Sequence, residues 1–146
     1  HQHRRTGQEP VARVIALANQ KGGVGQTTTA VNLAASLAVA ERRTLLIDGD
    51  PQGNATSGIG IERDRIDQTT YDVLIGQTGI ADARHRQVQF PWLDVLAATP
   101  DLAGAEVELV DKHEREAMMR KAVDAVRHEY DYVLVDCPPS LGLITV

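Results

Sequence analysis

A single cysteine, Cys137, is all that the 146-residue chain offers for disulfide chemistry. One thiol closes no internal bridge, which rules out a disulfide-stapled fold and fits a reducing cytoplasm. Long apolar runs are also missing, and none approaches the roughly 18 residues of a membrane span. The polar start, His1 to Pro10, lacks the apolar core of a secretory leader. Basic residues are outnumbered, 15 Lys and Arg against 20 Asp and Glu, for a formal charge of −5. That balance argues against a dispersed polyanion-binding surface and leaves room only for a local basic patch. His85, His113 and His128 stand isolated, without metal-ligand spacing.

What is present suits one domain with a sizeable core. Residues 1–10 show no apolar periodicity and read as a disordered lead-in, so the organised region is 11–146. Val11 to Ala18 is apolar except for Arg13, as in a strand buried on both faces of a parallel sheet. Thr27 to Val39 has helical spacing, with Ala30, Leu33, Ala34, Leu37 and Ala38 on one face. Thr44 to Ile47 is a second strand, ended by Asp48-Gly49-Asp50-Pro51, and the glycines at 49, 53, 58 and 60 predict a long irregular connection. Thr69 to Ile75 reads as a short helix, Ala81 to Phe90 is poorly patterned, and Leu93 to Ala98 is a third strand. Asp101 to Val110 and Asp111 to His128 read as helices, the second with Met118, Ala122, Ala125 and Val126 inward. Asp131 to Asp136 is a fourth strand, ended by Cys137-Pro138-Pro139. Alternating strands and helices predict an α/β fold, a parallel sheet flanked by helices, whose ligands sit at the carboxyl ends of the strands.

The stretch from Asn19 to Thr28 joins the first strand to the first helix. A strand feeding a glycine loop that opens a helix is a phosphate-holding arrangement, because backbone N–H groups wrap the anion and the first helical turn adds partial positive charge. Gly22, Gly23, Val24, Gly25, Gln26, Thr27 and Thr28 are the candidate nucleotide-binding residues, with Lys21 before them. Against the plain pattern G-x-x-x-x-G-K-[ST], Gln20 takes the slot of the first glycine and Gln26 that of the lysine. Lysine near the loop's start resembles the deviant Walker A motif, K-G-G-x-G-K-[ST].

Thr27 follows the lysine slot, where a hydroxyl coordinates Mg²⁺ or caps the helix. Asp136 closes an apolar strand, as a Walker B aspartate of a magnesium shell does. Asp48 and Asp50 lie two apart at another strand end. There Asp50 either orients the water that attacks a γ-phosphate or simply belongs to a turn. Cys137 reads as a buried structural thiol and Met118-Met119 as core.

Lys21-Gly22-Gly23-Val24-Gly25 and Asp48-Gly49-Asp50-Pro51-Gln52-Gly53-Asn54-Ala55-Thr56-Ser57-Gly58 together resemble the ParA/Soj partition ATPases. Leu102 to Glu106 and Asp131 to Leu141 look like the same family. The resemblance runs from Val11 to Val146, and the segment from Asp50 to Gly58 separates the chain from the MinD and nitrogenase iron-protein branches. It implies the N-terminal half of a P-loop ATPase domain, a sheet incomplete on its C-terminal side, and a cytoplasmic, nucleoid-associated protein with no membrane contact. It also implies ATP and Mg²⁺ as cofactors, a homodimer closed by ATP, non-specific DNA binding, and a ParB-type centromere-binding partner that stimulates hydrolysis. By position, Lys21 would reach the partner's nucleotide and Gly22 to Gly25 would cradle phosphate. Thr27, with Asp136 and Asp48, would hold the metal, and Asp50 would orient water. In the group of folds that the family resembles, the Walker B strand lies beside the loop strand, so Val11–Ala18 is expected to pair with Asp131–Asp136 and to lack a neighbour on its other side.

Gln26 replaces a cationic phosphate contact with a neutral amide, which predicts a loss of nucleotide affinity of roughly tenfold to a hundredfold. Two readings follow. One is a ParA-type partition ATPase with impaired activity; the other is a non-catalytic relative acting as a protein-interaction module.

Overall fold

In the computed structural model, residues 12–18, 28–100 and 112–137 are described. Four apolar runs become strands: β1 (Arg13–Ala18), β2 (Thr44–Asp48), β3 (Leu93–Leu96) and β4 (Tyr132–Cys137). They form one all-parallel sheet in the order β1-β4-β2-β3. The expected pairing of the first and last strands is present, with Arg13 opposite Tyr132 and Ala18 opposite Cys137. Among the described residues β1 has no neighbour on its other side. Its inner residues are accordingly half-buried, whereas β2 and β3 are buried throughout. The expectation of a first strand buried on both faces is therefore met only in part, because one flank of β1 is not covered by a strand among the described residues.

Helices cover both faces, since parallel strands need crossovers that return over the sheet. On one face lie α1 (Thr29–Val39) and α2 (Asn54–Gly58), packing Ala30, Val31, Ala34 and Ala55 against Leu46, Val95 and Leu134. On the other lie α3 (Thr70–Leu74), α4 (Ile80–Ala83) and α5 (Lys112–Val126), packed on Leu45, Ile47, Val133 and Val135. α1 starts two residues later than its spacing predicts, because Thr28 is its cap and accepts a hydrogen bond from Val31 N at 3.0 Å. α3 carries a capping box in which the Thr69 amide and hydroxyl both face the Asp72 carboxylate.

Three expectations need correction. The connection after β2 is not irregular throughout, since Asn54–Gly58 forms α2 within it. Ile80–Ala83 forms a helical turn that enters the stretch without a clear pattern. The inward face of α5 is Met119, Val123 and Val126; Met118 and Ala122 are half-buried, and Ala125 is exposed. The helix expected over 101–110 lies outside the described residues.

The β3 edge is closed by the chain itself. His85 and Val95 exchange backbone hydrogen bonds of 2.7 and 2.9 Å in an antiparallel bridge. Behind the bridge, Tyr130 donates to Asp94 at 2.6 Å, and Arg84 reaches both the Tyr130 hydroxyl at 2.6 Å and Glu129 at 2.9 Å. This network sits toward the amino ends of the strands, remote from the end where ligands bind in such sheets.

Candidate nucleotide site at the carboxyl edge of the sheet

β2 and β4 are hydrogen-bonded neighbours, and their register sets Asp48 directly opposite Asp136. Side chains alternate faces along a strand. Leu46 and Leu134 belong to the α1 face, so both aspartates, two residues further on, point to that face. Leu17 lies opposite Asp136 from the other side, so the chain leaves β1 for the glycine loop one residue beyond that carboxylate. Two carboxylates are thus buried side by side at the strand ends, with Asp48 0% and Asp136 1% exposed.

Their surroundings differ. Asp48 is held on both oxygens: Oδ1 accepts from Asp50 N at 3.0 Å, and Oδ2 accepts from Thr56 N at 2.8 Å and Thr56 Oγ1 at 2.6 Å. Burial pushes its carboxyl up to about 6, with the hydrogen bonds from Thr56 and Asp50 pulling the other way. Asp136 has no such support. Both of its oxygens are buried without a hydrogen-bond partner among the described residues. Burial, and then repulsion from Asp48 and Asp50, push it up to about 7.

A buried carboxylate without donors is costly unless a cation or a donor completes it. The donor set fits Mg²⁺, which is bound through one or two carboxylates with water and phosphate oxygens supplying the rest. Among the described residues no group of three or more His, Cys, Asp or Glu side chains forms a protein-only metal cage.

Asp50 sits in the turn that follows. Its Oδ1 accepts from Gln52 N at 3.0 Å and its Oδ2 from the Asn54 amide at 2.9 Å, so the carboxylate is held in one orientation beside the edge. These contacts give the turn reading of Asp50 real content, and they also give a water-orienting carboxylate a rigid mount. Thr28 spends its hydroxyl on capping α1. Lys21, Gly22, Gly23, Val24, Gly25, Gln26 and Thr27 lie outside the described residues. Cys137 is buried on the face opposite the aspartates, among the α5-side core.

Sequence reasoning passes over Thr56 and Thr70. Thr56 is 3% exposed, and besides holding Asp48 it accepts from Ala98 N at 2.9 Å. The Thr70 hydroxyl lies 2.9 Å from Asp48 O and 3.2 Å from Ala97 O. No local pattern announces either contact, because each partner lies on a different strand end.

A family model described as an AAA domain matches residues 12–146. The chromosome partitioning protein ParA of Myxococcus xanthus is 56% identical over 140 residues, covering 96% of this chain and 49% of that protein. The chain belongs to the ParA/Soj family. The sporulation initiation inhibitor protein Soj of Bacillus subtilis is 51% identical over 136 residues, covering 93% of this chain and 53% of its own length. The crystal structure of cobyrinic acid a,c-diamide synthase from Mycobacterium smegmatis, with bound ATP analogue and magnesium, is similar at a TM-score of 0.79 and 41% identity. That match covers 91% of this chain and 52% of the other. The chain therefore spans about half the length of the curated relatives it matches. For a ParA/Soj chain, the described part of the P-loop-type sheet contributes Asp48, Asp50 and Asp136 to its carboxyl edge. Among the described residues no helix is long and apolar enough to cross a membrane.

Proposed function

We propose that this chain handles ATP and Mg²⁺ for a ParA-type partition switch, in which nucleotide joins two subunits and a ParB-type partner stimulates hydrolysis. The observation that carries the reading is Asp136, a buried carboxylate without a described hydrogen-bond partner, set beside Asp48 at the strand ends. Asp136, with Asp48 beside it and the Thr27 hydroxyl, holds the metal shell. Lys21 and the backbone from Gly22 to Gln26, with Thr27 and Thr28 at the helix start, bind phosphate, and Lys21 extends to the nucleotide of the partner subunit. When bound, the metal neutralises phosphate charge that develops during transfer. Asp50 orients the attacking water, a positioning task that needs a fixed carboxylate and no covalent step. Binding to non-specific DNA, a cytoplasmic location and association with the nucleoid belong to the same reading of the whole protein.

Gln26 in the lysine slot favours a second reading, a non-catalytic partner-binding module. Calorimetry separates the two. The Gln26→Lys chain is expected to bind ATP–Mg²⁺ at least about tenfold more tightly than the parent, because a charged donor replaces a neutral one. On that background Asp50→Ala is expected to keep binding and lose hydrolysis. No ATP binding by either chain would favour the module; equal, measurable affinities would mean that Lys21 already supplies the missing charge. Hydrolysis undiminished in Asp50→Ala would return Asp50 to the turn reading.

A further inference from the structure

The Thr56 hydroxyl sits between two groups that belong to different strand ends. Ala98 N can only donate, so the 2.9 Å contact makes Thr56 Oγ1 the acceptor there. Its single proton is then directed to Asp48 Oδ2, 2.6 Å away, where the Thr56 amide also arrives at 2.8 Å. The other oxygen of Asp48 receives the Asp50 amide at 3.0 Å. A chain of hydrogen bonds thus runs from Ala98 through Thr56 and Asp48 to the backbone of Asp50. Gly53 presses the same turn onto the same strand end, since a Cβ there would stand 2.9 Å from Ala98 O.

We propose that Thr56 is a positioning residue for the aspartates of the site: its hydroxyl fixes the Asp48 carboxylate against the end of β3, and Asp48 fixes Asp50. The catalytic consequence rests on the ATPase reading above; the positional one does not. A valine at 56 keeps the shape and the backbone amide but removes the hydroxyl. It leaves Ala98 N without its acceptor and Asp48 Oδ2 with one donor fewer. Asp48 can then rotate, and the Asp50 carboxylate loses the registration that water orientation demands.

The test uses the whole chain carrying Gln26→Lys, with Thr56→Val and Thr56→Ser added singly, and the same pair in the unmodified chain for amide exchange. Thr56→Val is expected to slow single-turnover ATP hydrolysis by about tenfold while the ATP–Mg²⁺ dissociation constant moves by less than about threefold. Thr56→Ser, which restores the hydroxyl, is expected to return the rate to within about twofold of the parent. In the nucleotide-free chain, the Ala98 and Asp50 amides should exchange at least about tenfold faster in Thr56→Val and at parental rates in Thr56→Ser. Unchanged exchange at both amides overturns the proposal. Faster exchange with an unchanged hydrolysis rate makes the hydroxyl structural and overturns its positioning role. If the Gln26→Lys chain binds no ATP–Mg²⁺, the ATPase reading fails, and amide exchange alone decides whether Thr56 fixes the pair. Should Thr56→Val fail to fold, Thr56→Ala takes its place against the same serine control.

Discussion

Asp136 and Asp48 are register partners of nearly equal burial, yet only one is provided with donors among the described residues. Asp48 shifts less because Thr56 and Asp50 donate to its charged form; Asp136 has burial and two like charges acting on it, all raising its carboxyl toward about 7. A carboxyl raised on folding holds a proton that the unfolded chain has already released. The nucleotide-free fold is therefore best supported below the ordinary carboxylate range and loses that support as pH rises through the window up to about 7. Asp136→Asn removes the charge and keeps the shape. It is expected to raise the melting temperature of the nucleotide-free chain at about pH 8 by roughly 5 °C, on the order of 1–2 kcal/mol, and to change little near about pH 4. The same substitution should abolish any stabilisation by ATP–Mg²⁺. Melting curves at the two pH values decide it, and a destabilised Asp136→Asn at the higher pH would mean that the carboxylate is already satisfied by residues beyond the described set.

At the scale of elements, the turn from Asp50 to Gly58 depends on its tertiary neighbours more than on its own sequence. At Gly53, with φ +71°, an added Cβ would stand 2.9 Å from Ala98 O; at Gly76, with φ +82°, it would make only ordinary contact with Met118 at 3.7 Å. Alanine at either position meets the left-handed penalty of roughly 1–2 kcal/mol. Gly53→Ala adds a backbone collision and is expected to cost more than Gly76→Ala in urea unfolding at constant slope. Equal costs would mean that the turn lifts off β3 easily. The same dependence explains what the sequence does and does not disclose. β2 and β4 are readable to within a residue, because Val, Leu and Ile runs are bounded by charges or turn formers. β3 stops at Leu96, two residues short of the expected Ala98, because Ala97 O and Ala98 N bond to Thr70 and Thr56 rather than to a neighbouring strand. The convergence of Asp48, Asp50 and Asp136 follows from their places at strand ends. α2 is hidden because Gly53 and Gly58 punctuate it, and its first turn is held by Asp48 through Thr56 N. The face of α5 slips because Met118-Met119, Ala122-Val123 and Ala125-Val126 are adjacent apolar pairs, between which helical spacing cannot choose. Thr56 stays silent for a similar reason: its value lies in Ala98, a neighbour only in space.

At the scale of the whole molecule, the described sheet has two edges of opposite character. At β3, His85 pairs with Val95, and Tyr130, Arg84 and Asp94 lock the covering segment in place. At β1 the described residues supply no such cover, and the strand reads Arg13-Val14-Ile15-Ala16-Leu17-Ala18, with one charge and no proline. Parallel sheets are normally covered on both faces and flanked on both sides around the loop strand, so an apolar lateral edge here is a pairing surface. Backbone N–H and C=O groups that no described strand pairs, beside apolar side chains, favour addition of a further strand, and similar burial along the strand leaves little to specify which chain supplies it. The 146-residue chain by itself is therefore expected to self-associate, or to require a partner for solubility, whether or not ATP is present. Size-exclusion chromatography with light scattering measures this directly. Adding a charge at the exposed end of the edge strand, Ala18→Lys, should shift the population toward monomer if β1 is the contact, whereas the same change would leave an association through the helical faces intact. A nucleotide-independent, lasting monomer near 15.8 kDa would show instead that residues outside the described set close the β1 edge within one chain.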